Sequence, residues 1–248
     1  MLKAGVLQVV LIVAVLISAF SVQAAEAVID SDQVLARIKQ SRPDLQFGAV
    51  EQSPMKDIYQ VQIVNGPLLY INPQGSHFVA GELFEVAPSG VVNLTEMAQN
   101  APRKALMAGV DSKDMIIFAP AGETKATVTV FTDVDCYYCQ KLHQEVPALN
   151  KLGVAVQYMA YPRAGIGSES YNKIASAWCA DDKQEAMNKL KARQNIAKNV
   201  CADNPVAEQY ELGGRMGVSG TPALVLEDGS LVPGYMPANE LAKRLGIQ

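Results

Sequence analysis

Two hydrophobic periods alternate along this chain. Residues 28–40 place Val34, Leu35 and Ile38 at helical spacing between polar positions, with Asp30 or Ser31 available as N-cap, which predicts a short amphipathic helix. From 45 to 86 the period falls to two. Tyr59, Val61 and Ile63 alternate with Gln60 and Gln62, Asn65-Gly66-Pro67 marks a turn, and 68–71 and 78–86 read as further strands around a turn at 72–76. Helical chemistry returns at Asn93-Leu94-Thr95-Glu96, a variant of the capping box, and Gly109 is the stop. Pro102 lies between them and removes an N–H, so a kinked or two-piece linker helix is expected.

Beyond Asp111 the pattern predicts strands at 115–118 and 126–131, a helix from 136 to 146 bent or ended by Pro147, and a strand at 154–161. Residues 168–217 read as mainly helical, with Asn204-Pro205 at one helix start. A strand at 224–226, a turn at Asp228-Gly229, a strand at 231–233 and a helix at 238–245 close the chain. The fold class is α+β. An N-terminal helix-plus-antiparallel-sheet domain spans 25–90, a linker helix 91–112 and a second domain 113–248. The first domain holds no cysteine and buries only a limited core. Association with a second copy, through an edge strand such as 68–71, and packing against the other domain are both open remedies.

The N-terminus changes the picture. Lys3 precedes an apolar run over 6–20, followed by Ser21-Val22-Gln23-Ala24-Ala25. This is the pattern of a secretory signal peptide over 1–24, cleaved after Ala24 or, second, Ala25. As a membrane anchor the run falls short of the ~20 residues a spanning helix needs, so no stable membrane insertion is expected after cleavage. In an oxidising compartment all four cysteines of the chain can be disulfide-bonded. A formal charge of −4 without a basic cluster argues against nucleic acid as partner.

The chemistry concentrates at Cys136-Tyr137-Tyr138-Cys139, between a β-branched strand and a helix. Both sulfurs then lie about one turn apart at the helix N-terminus, where free N–H groups and the dipole favour thiolate at the first, Cys136, and Cys139 is close enough to close a disulfide. A C-x-x-C in this setting reads as a thioredoxin-like redox motif. A structural disulfide or half of a zinc site are the rivals, and a zinc site lacks a second closely spaced ligand pair in a chain with two histidines. His143, one turn beyond Cys139, reads as a helix-surface residue more than a proton shuttle. His77 and Trp178 read as structural. Pro222 precedes a strand, and its peptide bond is open to either isomer.

Together with Gly220-Thr221-Pro222, these residues resemble the DsbC-type bacterial periplasmic disulfide isomerases. The resemblance runs through Val130-Phe131-Thr132-Asp133, Lys141-Leu142-His143, Trp178-Cys179-Ala180, residues 217–223 and Leu231-Val232-Pro233-Gly234-Tyr235. It implies a homodimer joined through the N-terminal domains, a thioredoxin-fold catalytic domain with a helical insertion, a cis Pro222 and a structural disulfide between Cys179 and Cys201. It also implies a periplasmic location and a membrane thiol reductase of the DsbD type that keeps Cys136 and Cys139 reduced, with no cofactor and no metal. Two positions depart from the family: Tyr137 stands where Gly is common, and Asp135 where Thr is common. The Asp135 carboxylate is expected to oppose thiolate formation at Cys136.

The resulting expectation is a thiol:disulfide interchange enzyme acting on mis-bridged exported proteins. Cys136 and Cys139 are the catalytic pair, and Tyr137, Tyr138, Thr221 and Pro222 bind substrate. The alternatives are a net oxidant of the DsbA type or a close paralogue, and a protein that acts mainly as a chaperone.

Overall fold

The computed structural model describes residues 30–64, 66–88 and 90–247. The expected signal peptide at 1–24 and its cleavage point lie outside the described residues. Helix α1 (Ser31–Ser41) is capped by Asp30, whose side chain accepts from the Gln33 N–H, and buries Val34, Leu35 and Ile38. Strands β1 (Phe47–Gln52), β2 (Tyr59–Ile63), β3 (Leu68–Ile71) and β4 (Phe78–Ala80) form an antiparallel sheet in that order. The three helix residues pack with Val50, Val61, Ile63, Leu69 and Ile71 into one small core. Gly75 lets the turn before β4 lie against α1, because a Cβ there would stand 2.1 Å from the Val34 carbonyl oxygen.

Two expectations for this domain need correction. Residues 68–71 are not an edge: β3 is central and buried, and the edges are β1 and β4. The run at 78–86 is not one strand either. It breaks after Ala80, and β5 (Phe84–Ala87) pairs with β6 (Gly90–Asn93) as a separate hairpin.

Helix α2 (Leu94–Ala108) starts at the Asn93 cap and ends at Gly109, but it is a single helix with Pro102 inside it. Pro102 and Ala98, whose carbonyl loses its partner, both lie on the exposed side, where solvent can replace the lost hydrogen bond. Nor does Glu96 close a capping box. Its carboxylate pairs with the buried Arg103 and accepts the Leu231 N–H at 3.1 Å, while Arg103 Nε donates to the Met216 carbonyl at 2.7 Å. The helix is thereby fastened to the second domain. Gly229 permits the same approach, since a Cβ would stand 2.0 Å from the Asn100 carbonyl oxygen.

The second domain is a five-stranded sheet flanked by helices. Strands β7 (Ile116–Phe118), β8 (Ala126–Thr132), β9 (Val154–Ala160), β10 (Ala223–Val225) and β11 (Leu231–Pro233) lie in the order β11-β10-β8-β9-β7. Only β8 and β9 are parallel, and the crossover between them is α3 (Tyr137–Lys151). As in α2, the helix runs through its proline, the exposed Pro147, instead of ending there. Helices α4 (Glu169–Trp178), α5 (Lys183–Lys191) and α6 (Val206–Arg215) intervene before β10, and α7 (Ala238–Arg244) closes the chain. This is an α+β chain with a thioredoxin-like second domain and a helical insertion. Among the described residues no helix is long and apolar enough to cross a membrane.

Candidate active site

Strand β8 delivers the chain to the N-terminus of α3. Cys136 is the N-cap residue, and its sulfur accepts from the Cys139 N–H at 3.4 Å. A second element meets it there. The register Ala223↔Phe131 brings the residues before β10 alongside the turn after β8, and the Thr221-Pro222 bond is cis. The Cys136 thiol donates to the Thr221 carbonyl at 3.2 Å, and the Thr221 hydroxyl oxygen is buried without a hydrogen-bond partner among the described residues.

The two sulfurs differ. Both cysteines are free thiols and both are buried. Hydrogen bonding from Cys139 outweighs burial and brings the Cys136 thiol down to about 5, helped by Thr221, the Cys139 N–H and the Arg163 charge. Burial pushes the Cys139 thiol well above its ordinary value, and its hydrogen bond to Cys136 adds to this. Cys136 is therefore the sulfur that ionises and Cys139 the one that stays protonated.

Asp135 does not act as the sequence suggested. Lys173, from α4, pairs with its carboxylate at 3.1 Å and with Glu169 at 3.1 Å, and the Cys136 thiol is depressed regardless. Asp133, buried beneath it, is held as a carboxylate despite burial by Ser170, by Arg163 and by the Asp135 N–H. That shell ties the β8–α3 turn to the loop after β9 and to α4.

His143 is also corrected. It is half-buried instead of lying free on the helix surface: Nδ1 lies 3.0 Å from the Tyr158 hydroxyl, Nε2 2.9 Å from Asn188 Oδ1, and its ring meets Phe118 edge-on at 5.2 Å. Burial lowers its pKa to about 4, so it is a neutral packing residue near pH 7. His77 lies in the turn before β4, and Trp178 donates to the Asp114 carbonyl at 2.6 Å. Cys179, at the end of α4, is bonded to Cys201 with Cα atoms 5.8 Å apart, away from the reactive pair in sequence and joined to each other.

Around Cys136 lies an aromatic surface. Tyr137 and Tyr138 are 62% and 55% exposed, their rings 5.3 Å apart, and Tyr138 stacks at 6.4 Å on Tyr235, which carries Lys141 4.3 Å above its ring.

A dithiol of unequal acidity facing a cis-proline loop performs thiol–disulfide exchange. A family model for a disulfide bond isomerase protein N-terminal domain matches residues 21–96, and one for a thioredoxin-like domain matches 112–246. The thiol:disulfide interchange protein DsbC of Escherichia coli K12 is 38% identical over 232 residues, covering 93% of this chain and 92% of its own. The chain belongs to the DsbC family. DsbC of Dickeya dadantii is 38% identical over 212 residues, covering 85% and 86% of the two chains. A crystal structure of a disulfide interchange protein from Neisseria gonorrhoeae superposes with a TM-score of 0.50 at 30% identity, covering 55% of this chain and 96% of that one. As a DsbC-family member, the chain is a thiol:disulfide interchange enzyme of the disulfide isomerase type.

Sequence reasoning missed Arg163, Lys173 and Lys191 around this DsbC-type site. They come from a loop and two insertion helices, and no local motif signals them.

Proposed function

We propose that Cys136 is the nucleophile and Cys139 the resolving cysteine of a periplasmic disulfide isomerase and reductase. The observation that carries this reading is the opposite displacement of the two thiols, with Cys136 lowered to about 5 and Cys139 raised. The Cys136 thiolate attacks a sulfur of a wrongly paired disulfide. The substrate bond breaks, one substrate sulfur leaves as thiolate, and a mixed disulfide forms. Another substrate thiol then displaces Cys136, which completes isomerisation with the enzyme reduced. Alternatively Cys139 closes on Cys136, which reduces the substrate and oxidises the pair.

Thr221 and Pro222 hold the substrate backbone beside Cys136 by strand-like pairing, and Tyr137 and Tyr138 supply apolar contact. The Cys179–Cys201 bridge stabilises the helical insertion. Mis-bridged exported proteins are the substrates, and a membrane reductase of the DsbD type returns the pair to the dithiol state.

Two copies join through their N-terminal domains. The exposed edge strand β4, with Phe78 and Val79 on the surface, supports this. Chaperone activity accompanies the exchange reaction, supported by the exposed aromatic surface.

A net oxidant is the second reading. It is favoured by the same low Cys136 pKa, because stabilising the dithiol makes the disulfide more oxidising. Trapping cellular thiols with a mass-tagged alkylating reagent separates the two. A pair found mostly reduced supports the isomerase, whereas a mostly oxidised pair sinks it in favour of the oxidant. Cys136→Ala separates a chaperone role: disulfide rescue is lost and suppression of aggregation is retained.

A further inference from the structure

Lys191 ends α5, yet its side chain turns inward and is only 4% exposed. Its Nζ donates to the Thr132 hydroxyl at 2.6 Å and to the Asp133 carbonyl at 3.0 Å, both on the turn that carries Cys136. It also lies 5.6 Å over the Tyr158 ring. No carboxylate pairs with it among the described residues, since Asp133 is taken by Arg163 and Asp135 by Lys173. Burial lowers the Lys191 pKa, because a buried cation without an anion is costly, and negative charge on Cys139 and Asp133 opposes that loss. Such groups concentrate where a negative charge develops during a reaction.

The charge that develops here is on Cys139. Its sulfur is fully buried beneath the same turn, where the Asp133 N–H faces it, while Lys191 holds the Asp133 carbonyl. Burial alone places the Cys139 thiol far too high to ionise near pH 7, and the Lys191 charge is the foremost effect pulling it back.

We propose that Lys191 is a positioning residue for the resolving step, supplying the countercharge for the Cys139 thiolate. This rests on the reading of Cys139 as resolving cysteine. In that step Cys139 gives up its proton and its sulfur attacks Cys136 Sγ. The Cys136–substrate bond breaks, the electron pair leaves on the substrate sulfur, and that sulfur takes a proton. The substrate disulfide gains two electrons as the enzyme dithiol loses them. Lys191 thereby sets how often a mixed disulfide exits by reduction instead of isomerisation. The groups facing it are Asp133 and Thr132 from the turn, Tyr158 from β9, and the two cysteines and neutral His143 from α3, with Asp135 and its partner Lys173 farther out.

The test is alkylation of Cys139 as a function of pH in the full chain carrying Cys136→Ser, with and without Lys191→Met. The expected result is that Lys191→Met slows alkylation about tenfold at fixed pH, equivalent to about one unit in the thiol. In the chain with Cys136 present, release of a glutathione mixed disulfide slows by a similar factor, while the first attack by Cys136, whose thiol is already low, slows less. A folded Lys191→Met chain with an unaltered Cys139 profile overturns the proposal. Because that readout does not use turnover, it stands even if Cys136 and Cys139 prove not to be an isomerase pair. If Lys191→Met does not fold, the Lys191 amine is titrated by nitrogen NMR in chains with and without Cys139→Ser. A midpoint that falls when the thiol is removed supports the pairing, and an unmoved midpoint overturns it.

Discussion

Lys173 Nζ lies 3.1 Å from the Asp135 carboxylate, immediately before Cys136 in the chain. A carboxylate next to the proposed nucleophile is thus paired with a helix that follows almost forty residues later. The pair is partly exposed, so its effect is screened. Lys173→Met should leave Asp135 free to oppose the thiolate and slow attack by Cys136 about twofold at pH 5, near the thiol's own midpoint, with little change at pH 8. Alkylation rates measured against pH check this, and an unshifted profile shows that Asp135 has no influence on the sulfur.

His143 makes acid stability legible. Its folded pKa of about 4 lies below the ordinary 6.5. The stabilisation is therefore full above pH 6.5 and is lost as the pH falls through about 4, because the unfolded chain takes up the proton first. His143→Gln, which keeps a polar partner for Asn188, should flatten the decline in unfolding free energy between pH 6.5 and 4. Urea unfolding at both pH values measures it; parallel curves for the two proteins would count against this assignment.

The Glu96–Arg103 pair fastens the linker helix to β11 and to the segment leading to Thr221. Removing the buried partner leaves a carboxylate and the Met216 carbonyl unsatisfied. Arg103→Ala should cost about 3 kcal/mol in urea unfolding of the second domain. Limited proteolysis should also reveal faster cleavage near residues 93–110.

Cys179 and Cys201 close a loop of separation 22. The double change to Ala should lower stability by about 3 kcal/mol under oxidising conditions. It should leave the pH profile of Cys136 unchanged. A shifted profile would mean that the bridge also positions the reactive turn.

The order of elements, the C-x-x-C at a helix start and the Gly220-Thr221-Pro222 loop were legible in the sequence, because each depends on residues within one turn or strand of one another. Of the kinked or two-piece helix expected at Pro102 and the bent or ended one at Pro147, the interrupted forms are not adopted. A proline's lost hydrogen bond matters only where water cannot replace it, and which face of a helix meets water is decided by packing. The same holds for the edges of the first sheet, since pairing order is a long-range choice.

The charges around the reactive sulfurs were decided by tertiary structure alone. Lys173 for Asp135, Arg163 for Asp133 and Lys191 beneath the turn arrive from the loop after β9 and from insertion helices α4 and α5. Electrostatic influence depends on distance and burial, not on chain separation. The sequence by itself therefore pointed to Cys136 as the sulfur favoured as thiolate, from its place at the helix start, while the fold decided the surrounding charges and the burial that raises the Cys139 thiol.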